Sequence, residues 1–332
     1  MKKVLMLIVF LFLFSFSLGC NSNEKEDFLK TINDSTCYKA TGIMESFYKN
    51  GRKQNEFTVW NKSNEYIKVS LKSVDSAEEQ IILKNKDGVY ILIPSVNKNF
   101  KIQSSWPVNA SYPYLLQSLA KDLANTENSN KTEDENTITY ETQTHIYKDA
   151  NSNRQKILID KKTGYPTEVL IYDEQGDLYI RVVYNKIEID CSFKDEEFIV
   201  DNSMDVARLE FEGEIEYENR AVSYPSYCPE GMTLKNENIQ SSSDGKEVLS
   251  IMKFASETAS FTLIQEYVND TQHKQFVLET GEIVHVLGQT AIQKENAVTL
   301  FYEGIEYTIA SNDIDSEEMI KVLSSFMTSE EK

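Results

Sequence analysis

The sequence predicts a mainly β protein of the α+β class, with one large antiparallel sheet followed by a smaller α+β unit. From about residue 41 to residue 200, runs of β-branched and aromatic residues alternate with turn signals about every 8–12 residues, which is typical of antiparallel sheets. Two prolines and two tyrosines at residues 224–229 then break this alternation. Because single cores seldom grow beyond about 250 residues, a chain of 332 residues favours two units over one.

The chain begins with a signal peptide. Two lysines precede residues 4–18, which are almost wholly apolar but too few to span about 30 Å of hydrocarbon. The pair Gly19 and Cys20 resembles a lipobox, although Ser17 stands where Leu is usual. We predict removal of residues 1–19 and a lipid anchor, with palmitate among its acyl chains, on Cys20 at the extracytoplasmic face of the cell membrane. The alternative is ordinary secretion with Cys20 unmodified.

Composition and turn signals divide the rest of the chain. The stretch after Cys20 is polar, which suits a tether between an anchor and a folded unit. The predicted segments are a lipid-anchored tether (20–27), a first domain (28–205), an acidic connecting strand (206–223) and a small α+β domain (224–332).

The first domain is predicted to be an antiparallel meander covered by helices. Alternating apolar residues and strong hairpin turns indicate half-buried strands. An amphipathic helix is predicted with Ser111 as its N-cap and leucines along one stripe. The predicted strands are 42–48, 56–60, 66–72, 80–84, 156–160, 168–172 and 178–189, and the predicted helices are 28–33 and 112–124.

The second domain is predicted to be a smaller sheet closed by one helix. Asp315 is a suitable N-cap, with Glu318 at the third helical position, as in a capping box. A calcium loop is the other interpretation of these acidic residues, but the central Gly and terminal Glu of an EF-hand are missing. The predicted strands are 250–254, 260–267, 281–286, 297–302 and 305–310.

Several short runs in residues 25–205 resemble the LolA/RseB-type lipoprotein-carrier fold. They are Tyr38–Gly42, Lys86–Ser95, Ile159–Pro166 and Phe193–Phe198. The resemblance implies a half-open antiparallel barrel that wraps around a few helices and leaves an apolar cleft. The end of the chain resembles the small C-terminal domain of Firmicute sporulation and envelope lipoproteins, including some germination lipoproteins. This second resemblance implies a role in sporulation or germination, exercised by binding a peptidoglycan amidase.

A cleft for an acyl chain or an apolar peptide is expected on the concave face of the sheet. Alternation shows only that one face is buried, so the same residues could instead fill a closed core. The predicted cleft-lining residues are Ile43, Phe47, Ile67, Val69 and Leu71, with Leu115, Leu119 and Leu123 of the covering helix.

Charge and cysteine content narrow the possible partners. The formal charge of −19, which becomes −21 without the two lysines of the signal peptide, disfavours nucleic acid and anionic lipid headgroups and favours a basic partner or a neutral ligand. Beyond Cys20, three cysteines remain, Cys37, Cys191 and Cys228, without CxxC spacing. We therefore predict no metal site, no cofactor and at most one disulfide bond, with the pairing left open.

No catalytic signature accompanies the few candidate residues. His145, His273 and His285 stand outside the zinc-hydrolase, serine-hydrolase and phosphate-binding motifs, and the alternation around His285 predicts that it faces solvent. A binding or carrier protein is therefore expected rather than an enzyme. The alternative is an envelope hydrolase of unrecognised type.

An acidic strand is the last predicted site. From Ala207 to Glu218, apolar residues alternate with carboxylates, which period-two spacing places on one face about 7 Å apart. Glu212, Glu214 and Glu216 are the predicted docking residues for a basic partner. The alternative is an exposed connecting strand whose charges discourage aggregation.

Overall fold

The computed structural model describes residues 24–328 except 64, 77, 109, 127–129, 147–152, 211–221, 242–247 and 268–273. The elements of the first half are the helices α1 (Glu24–Asp34), α2 (Leu116–Ala124) and α3 (Val200–Glu210) and the strands β1 (Cys37–Tyr48), β2 (Gly51–Lys62), β3 (Tyr66–Ser73), β4 (Glu79–Asn85), β5 (Gly88–Ile93), β6 (Lys98–Gln103), β7 (Lys131–Glu133), β8 (Thr137–Thr144), β9 (Asn153–Asp160), β10 (Pro166–Tyr172) and β11 (Leu178–Ile189).

The second half continues with eight strands and one helix among the described residues. They are β12 (Thr233–Ser241), β13 (Val248–Ala255), β14 (Ser260–Tyr267), β15 (Gln275–Thr280), β16 (Glu282–Val286), β17 (Gln289–Gln293), β18 (Ala297–Tyr302), β19 (Ile305–Ala310) and α4 (Ser316–Met327).

The strands form two sheets. The first has the order β15-β6-β5-β4-β3-β2-β1-β11-β10-β9-β8-β7, and the second has the order β12-β13-β14-β19-β18-β17-β16. The first sheet is a meander in which β1 pairs with both β2 and β11. It wraps around α1 and α2, because one buried cluster contains residues of these helices and of strands from both ends of the sheet. Its end strands do not pair with each other, so the barrel is half-open. The predicted fold class is confirmed.

The two sheets are joined by β15 and by buried contacts. Although β14 and β16 belong to the second sheet, β15 between them pairs in parallel with β6 of the first. Nearby, the rings of Phe100 and Phe301 lie 4.7 Å apart. The Gln80 side chain bridges the sheets, since its Nε2 donates to the carbonyl of Phe301 at 3.0 Å and its Oε1 accepts from the backbone N–H of Thr290 at 2.6 Å.

A disulfide bond links two neighbouring strands of the first sheet. Cys37, at the start of β1, bonds to Cys191, which lies just beyond the end of β11, and the two Cα atoms are 5.5 Å apart. Cys228 is a free, partly buried thiol. The structure thus selects one pairing among those that the sequence left open.

Several element boundaries confirm the sequence predictions. Strands β11, β14, β18 and β19 have the predicted bounds. At the start of α4, Asp315 Oδ1 accepts a hydrogen bond from the backbone N–H of Glu318 at 2.8 Å, so the predicted N-cap is confirmed.

The predicted N-cap at Ser111 is wrong. Helix α2 begins only at Leu116, because the preceding Tyr112 and Tyr114 are buried in the core in a non-helical turn. The Ser111 hydroxyl instead donates to Asp122 Oδ1 at 2.9 Å, and Asp122 lies near the C-terminal end of the helix that Ser111 was expected to cap.

The start of the predicted acidic strand is also wrong. Residues 207–210 belong to α3, because Met204 and Ala207 lie one helical turn apart and pack on an apolar cluster on the outer face of β4 and β5. The burial of Met204 and Ala207 along one face of a helix therefore outweighs the strand-like alternation that begins at Ala207.

Candidate functional site

An open cleft of about 670 Å³ lies between one end of the first sheet and helix α4. Its size is that of a ligand or peptide site. Its lining residues are Phe47, Tyr48, Lys49, Asn50, Ile146, Asn153, Asp173, Glu174, Gln175, Tyr179, Ser226, Tyr227, Leu287, Glu317, Ile320, Lys321, Ser324, Ser325 and Thr328.

One wall of the cleft consists of two turns of the first sheet. The β1–β2 turn contributes residues 47–50 and the β10–β11 turn contributes residues 173–175. Asp173 fixes the second turn, since its Oδ1 accepts from the backbone N–H of Asp177 at 2.8 Å. Gly176 has a φ of +88°, a conformation that glycine adopts without strain. The hydrogen bond and the glycine therefore both stabilise the conformation of the β10–β11 turn.

The opposite wall is one face of α4. Residues 317, 320, 321, 324, 325 and 328 each lie three or four positions from another member of the set, so they form a stripe along α4 and its C-cap that faces the cleft. The other face, with Met319, Val322, Leu323 and Phe326, packs on the second sheet. One face of α4 is therefore packed on the second sheet, and the opposite face is open to the cleft.

The cleft combines an apolar floor with a charged rim. Ile146, Leu287 and Ile320 are buried and provide the floor. Exposed rim residues include Lys49 and Glu174. An apolar centre surrounded by polar groups of both signs is the usual arrangement of a protein interface.

The concave interior of the first sheet is packed by the chain's own side chains. Ile67, Val69 and Leu71 of β3 are at most 1% exposed. They share a core cluster with Leu115, Leu119 and Leu123 of the α2 region and with the fully buried Trp106 and Tyr114. The structure therefore places these predicted cleft residues in a filled core.

Two of the predicted cleft residues do not share that face. On β1, Ala40 and Met44 point into the core, whereas Ile43 lies one residue out of phase and opposite the exposed Glu56. Phe47 lies on the same outer side as Ile43. The common face predicted for these residues with the β3 residues is therefore wrong, although Phe47 does line the cleft against α4.

The remaining predicted sites lie outside the described residues. These are Cys20 and the acidic docking residues Glu212, Glu214 and Glu216. Among the described residues, no group of three or more His, Cys, Asp or Glu side chains could hold a metal ion. In the same part of the chain, no helix is long and apolar enough to cross a membrane.

His285 packs against the segment that precedes α2, and the prediction that it faces solvent is wrong. Tyr114 Oη lies 2.5 Å from His285 Nε2, and the rings of Tyr112 and Tyr114 pack edge-on against the imidazole. The segment between β6 and α2 thus covers the face of β16 that the sequence assigned to solvent. Burial lowers the pKa of His285 to about 4, and a hydrogen bond to the backbone of Gln289 offsets part of this effect. No sequence signal marks a contact between residues so far apart.

We expect the folded protein to lose stability as the pH falls from about 6.5 to about 4. In this range the unfolded chain binds a proton at His285 that the folded protein does not, so the stability is present above the ordinary pKa and is lost below it. The loss due to His285 should reach about 3 kcal/mol. Chemical denaturation across this range should show a flatter profile for His285→Gln than for wild type. His145→Gln, at an exposed position, should keep the wild-type profile, and equal slopes for all three proteins would contradict the prediction.

A half-open antiparallel sheet wrapped around helices, joined to a second and smaller sheet, defines the class of half-barrel proteins whose architecture the sequence resemblance implied. Within that class, the chain belongs to the family described as "Sporulation protein YdcC-like", whose profile matches residues 1–198. Over 334 residues it is 28% identical to "Sporulation protein YdcC" of Bacillus subtilis, with 98% of each chain covered. The predicted placement in the Firmicute sporulation group is confirmed.

Solved structures with detectable similarity are more distant. MucB in the MucA/MucB complex of Pseudomonas aeruginosa is 14% identical with a TM-score of 0.31, over 90% of this chain and 96% of that one. A LolA superfamily protein of Nitrosomonas europaea is 12% identical with a TM-score of 0.30, over 54% of this chain and 98% of that one.

Proposed function

We propose that this sporulation protein is an extracytoplasmic binding protein, tethered to the cell membrane through Cys20, that holds an envelope protein in the cleft beside α4. The partner class is a basic cell-wall enzyme, such as a peptidoglycan amidase. The main support is a contrast in packing: the interior of the half-barrel is filled, whereas the cleft outside it is open.

The filled interior favours a protein partner over an acyl chain. Carriage of a chain inside the half-barrel would require displacement of fully buried side chains such as Trp106, Tyr114 and Leu119. Emptying such a core costs several kcal/mol for each large side chain. The cleft, by contrast, offers an apolar floor that a partner side chain can fill without rearrangement.

The disulfide bond supports a location outside the cytoplasm. Structural disulfides form and persist in oxidising compartments and are rare where thiols are kept reduced. The Cys37–Cys191 bond therefore agrees with the signal peptide predicted at residues 1–19. The acidic net charge supports a basic partner, because opposite charges accelerate association and disfavour wrong partners.

The cleft is tested by filling it. In Ser324→Arg, a long cationic side chain occupies the cleft from the outer stripe of α4, while the packed face of the helix is unchanged. We expect at least about a tenfold loss of partner recovered by photo-crosslinking in sporulating cells, equivalent to about 1.4 kcal/mol of binding energy. Thr258→Arg, in an exposed turn between β13 and β14, is the matched control. Equal recovery of the partner with both variants would show that the partner binds outside the cleft.

The anchor is tested at Cys20. Cys20→Ala removes the thiol to which a diacylglyceryl group would be attached, so we expect no lipid labelling and either an unprocessed precursor or release into the medium. Metabolic labelling with a clickable fatty acid measures this directly. Labelling of Cys20→Ala at the wild-type level would contradict lipid anchoring at this residue and would leave the cleft proposal intact.

A further inference from the structure

The first sheet ends in an open strand. Within the described residues, β15 is hydrogen-bonded on one side only, to β6, and it terminates the strand order. The backbone N–H and C=O groups on its other side are therefore available to another strand. Open edges of this kind are the usual sites of strand addition.

Two large apolar side chains project from this edge strand. Phe276 and Leu278 are 59% and 58% exposed, and they lie on the outer face of the sheet, beside Asn99 and Lys101 of β6. Val277 points to the other face and packs against the core. An edge strand that displays two large apolar residues on one face favours association with a second strand.

The backbone of β15 does not block a further strand, although Glu279 carries a charge on its inner face. It contains no proline and pairs with β6 in unbroken register, so neither a missing donor nor a bulge blocks a further strand. The opposite end of the sheet differs, because β7 is only three residues long, Lys131–Glu133, and all three are exposed. The two edges of one sheet are therefore unequally protected.

The β15 edge is complementary to itself. In an antiparallel pair related by a two-fold axis through Val277, each Phe276 lies directly opposite the Leu278 of the other copy, and each Val277 lies opposite its own equivalent. This register keeps outer residues opposite outer residues, as strand pairing requires. Gln275 and Glu279 are then opposed on the inner face, where the Glu279 carboxylate also pairs with Lys294 Nζ at 2.6 Å.

We propose that β15 is the interface of a homodimer in which two copies join their first sheets into one continuous antiparallel sheet. A two-fold interface of this kind is closed, so it yields dimers and not fibres. The pairing buries the exposed Phe276 and Leu278 of both copies and satisfies the open backbone groups. The inference is independent of the cleft, which is lined by other residues.

The interface is small and the chains repel one another. One pair of six-residue strands buries less than the roughly 1,200 Å² of stable complexes, and each mature copy, without Lys2 and Lys3, carries a formal charge of −21 against −19 for the full chain. We therefore expect a dissociation constant on the order of 10–100 µM in solution. Attachment of both copies to one membrane would raise their effective concentration and favour the dimer.

Sedimentation equilibrium of the mature protein from about 5 µM to about 500 µM tests the proposal, since this range brackets the expected dissociation constant. We expect a concentration-dependent dimer for wild type and for Thr258→Lys, which adds the same charge at an exposed turn. Leu278→Lys should remain monomeric throughout, because it places a lysine opposite the partner's Phe276. A monomeric wild type at the highest concentration, or equal association of the two variants, would overturn the proposal.

The register is tested by crosslinking. In a Cys228→Ser background, Val277→Cys places two thiols directly opposite each other, and mild oxidation with diamide should give a covalent dimer. Phe276→Cys should give much less, because its opposite residue is Leu278. A dimer in which neither position crosslinks, or in which both do equally, would overturn pairing through β15. Association through another surface would then leave this edge free for a strand of a different protein.

Discussion

Replacement of both Cys37 and Cys191 by Ser is expected to lower the free energy of unfolding by about 4–5 kcal/mol. The two residues are separated by 154 positions in the sequence, so the disulfide restricts a long loop in the unfolded chain. Folding must otherwise bring the start of β1 to the end of β11 without this restraint, and the entropic cost grows with loop length. Denaturant unfolding of oxidised wild type and the double variant measures the difference.

The control for the disulfide is the third cysteine. Cys228→Ser removes a partly buried thiol that forms no bond, so we expect a change of less than about 1 kcal/mol. Reduction of wild type should reproduce the unfolding midpoint of the double variant. If reduction leaves the midpoint unchanged, the Cys37–Cys191 bond contributes no stability and the loop argument fails.

Glu306→Gln is expected to cost about 3–5 kcal/mol of unfolding free energy. Lys98 of β6 and Glu306 of β19 form an ion pair between the two sheets, with side chains only 8% and 19% exposed. Burial raises the pKa of Glu306, and the Lys98 ammonium offsets part of that rise. Removal of the carboxylate leaves the buried ammonium without a counter-charge. Calorimetry and denaturant unfolding should both report the loss.

A double variant distinguishes the loss of the ion pair from a change in side-chain packing. Lys98→Met together with Glu306→Leu removes both charges, so we expect recovery to within about 1–2 kcal/mol of wild type. Lys98→Met alone should be rescued at acidic pH, because protonation neutralises the remaining Glu306. A double variant as unstable as Glu306→Gln would show that shape, and not charge, accounts for the first result.

The sequence predicted local structure better than it predicted contacts. Strand alternation and turn residues are local signals, and Leu178–Ile189 has the predicted bounds. The Asp315 N-cap is likewise local, because its carboxylate accepts from the backbone N–H of Glu318, only three residues further along the chain. Such features depend on neighbours in the chain and need no knowledge of the fold.

The predictions that failed depend on distant partners. Ser111 has the composition of an N-cap, but the burial of Tyr112 and Tyr114 displaces the helix start to Leu116. His285 alternates as a solvent-facing residue does, yet Tyr112 and Tyr114 of the segment before α2 pack against it. The cleft beside α4 is formed by turns and a helix from opposite ends of the chain, so no local pattern indicates it.

The excursion of β15 into the first sheet has a consequence for how the chain can be divided. A cut at residue 205 or at residue 224, where composition suggests a boundary, would leave β6 with β5 as its only neighbour in the sheet, because β15 would lie on the other fragment. Apolar side chains such as Val277 would then lose their packing partners. The two sheets are therefore expected to unfold as one cooperative unit. Separation of the second sheet from the first requires that the hydrogen bonds between β15 and β6 break first.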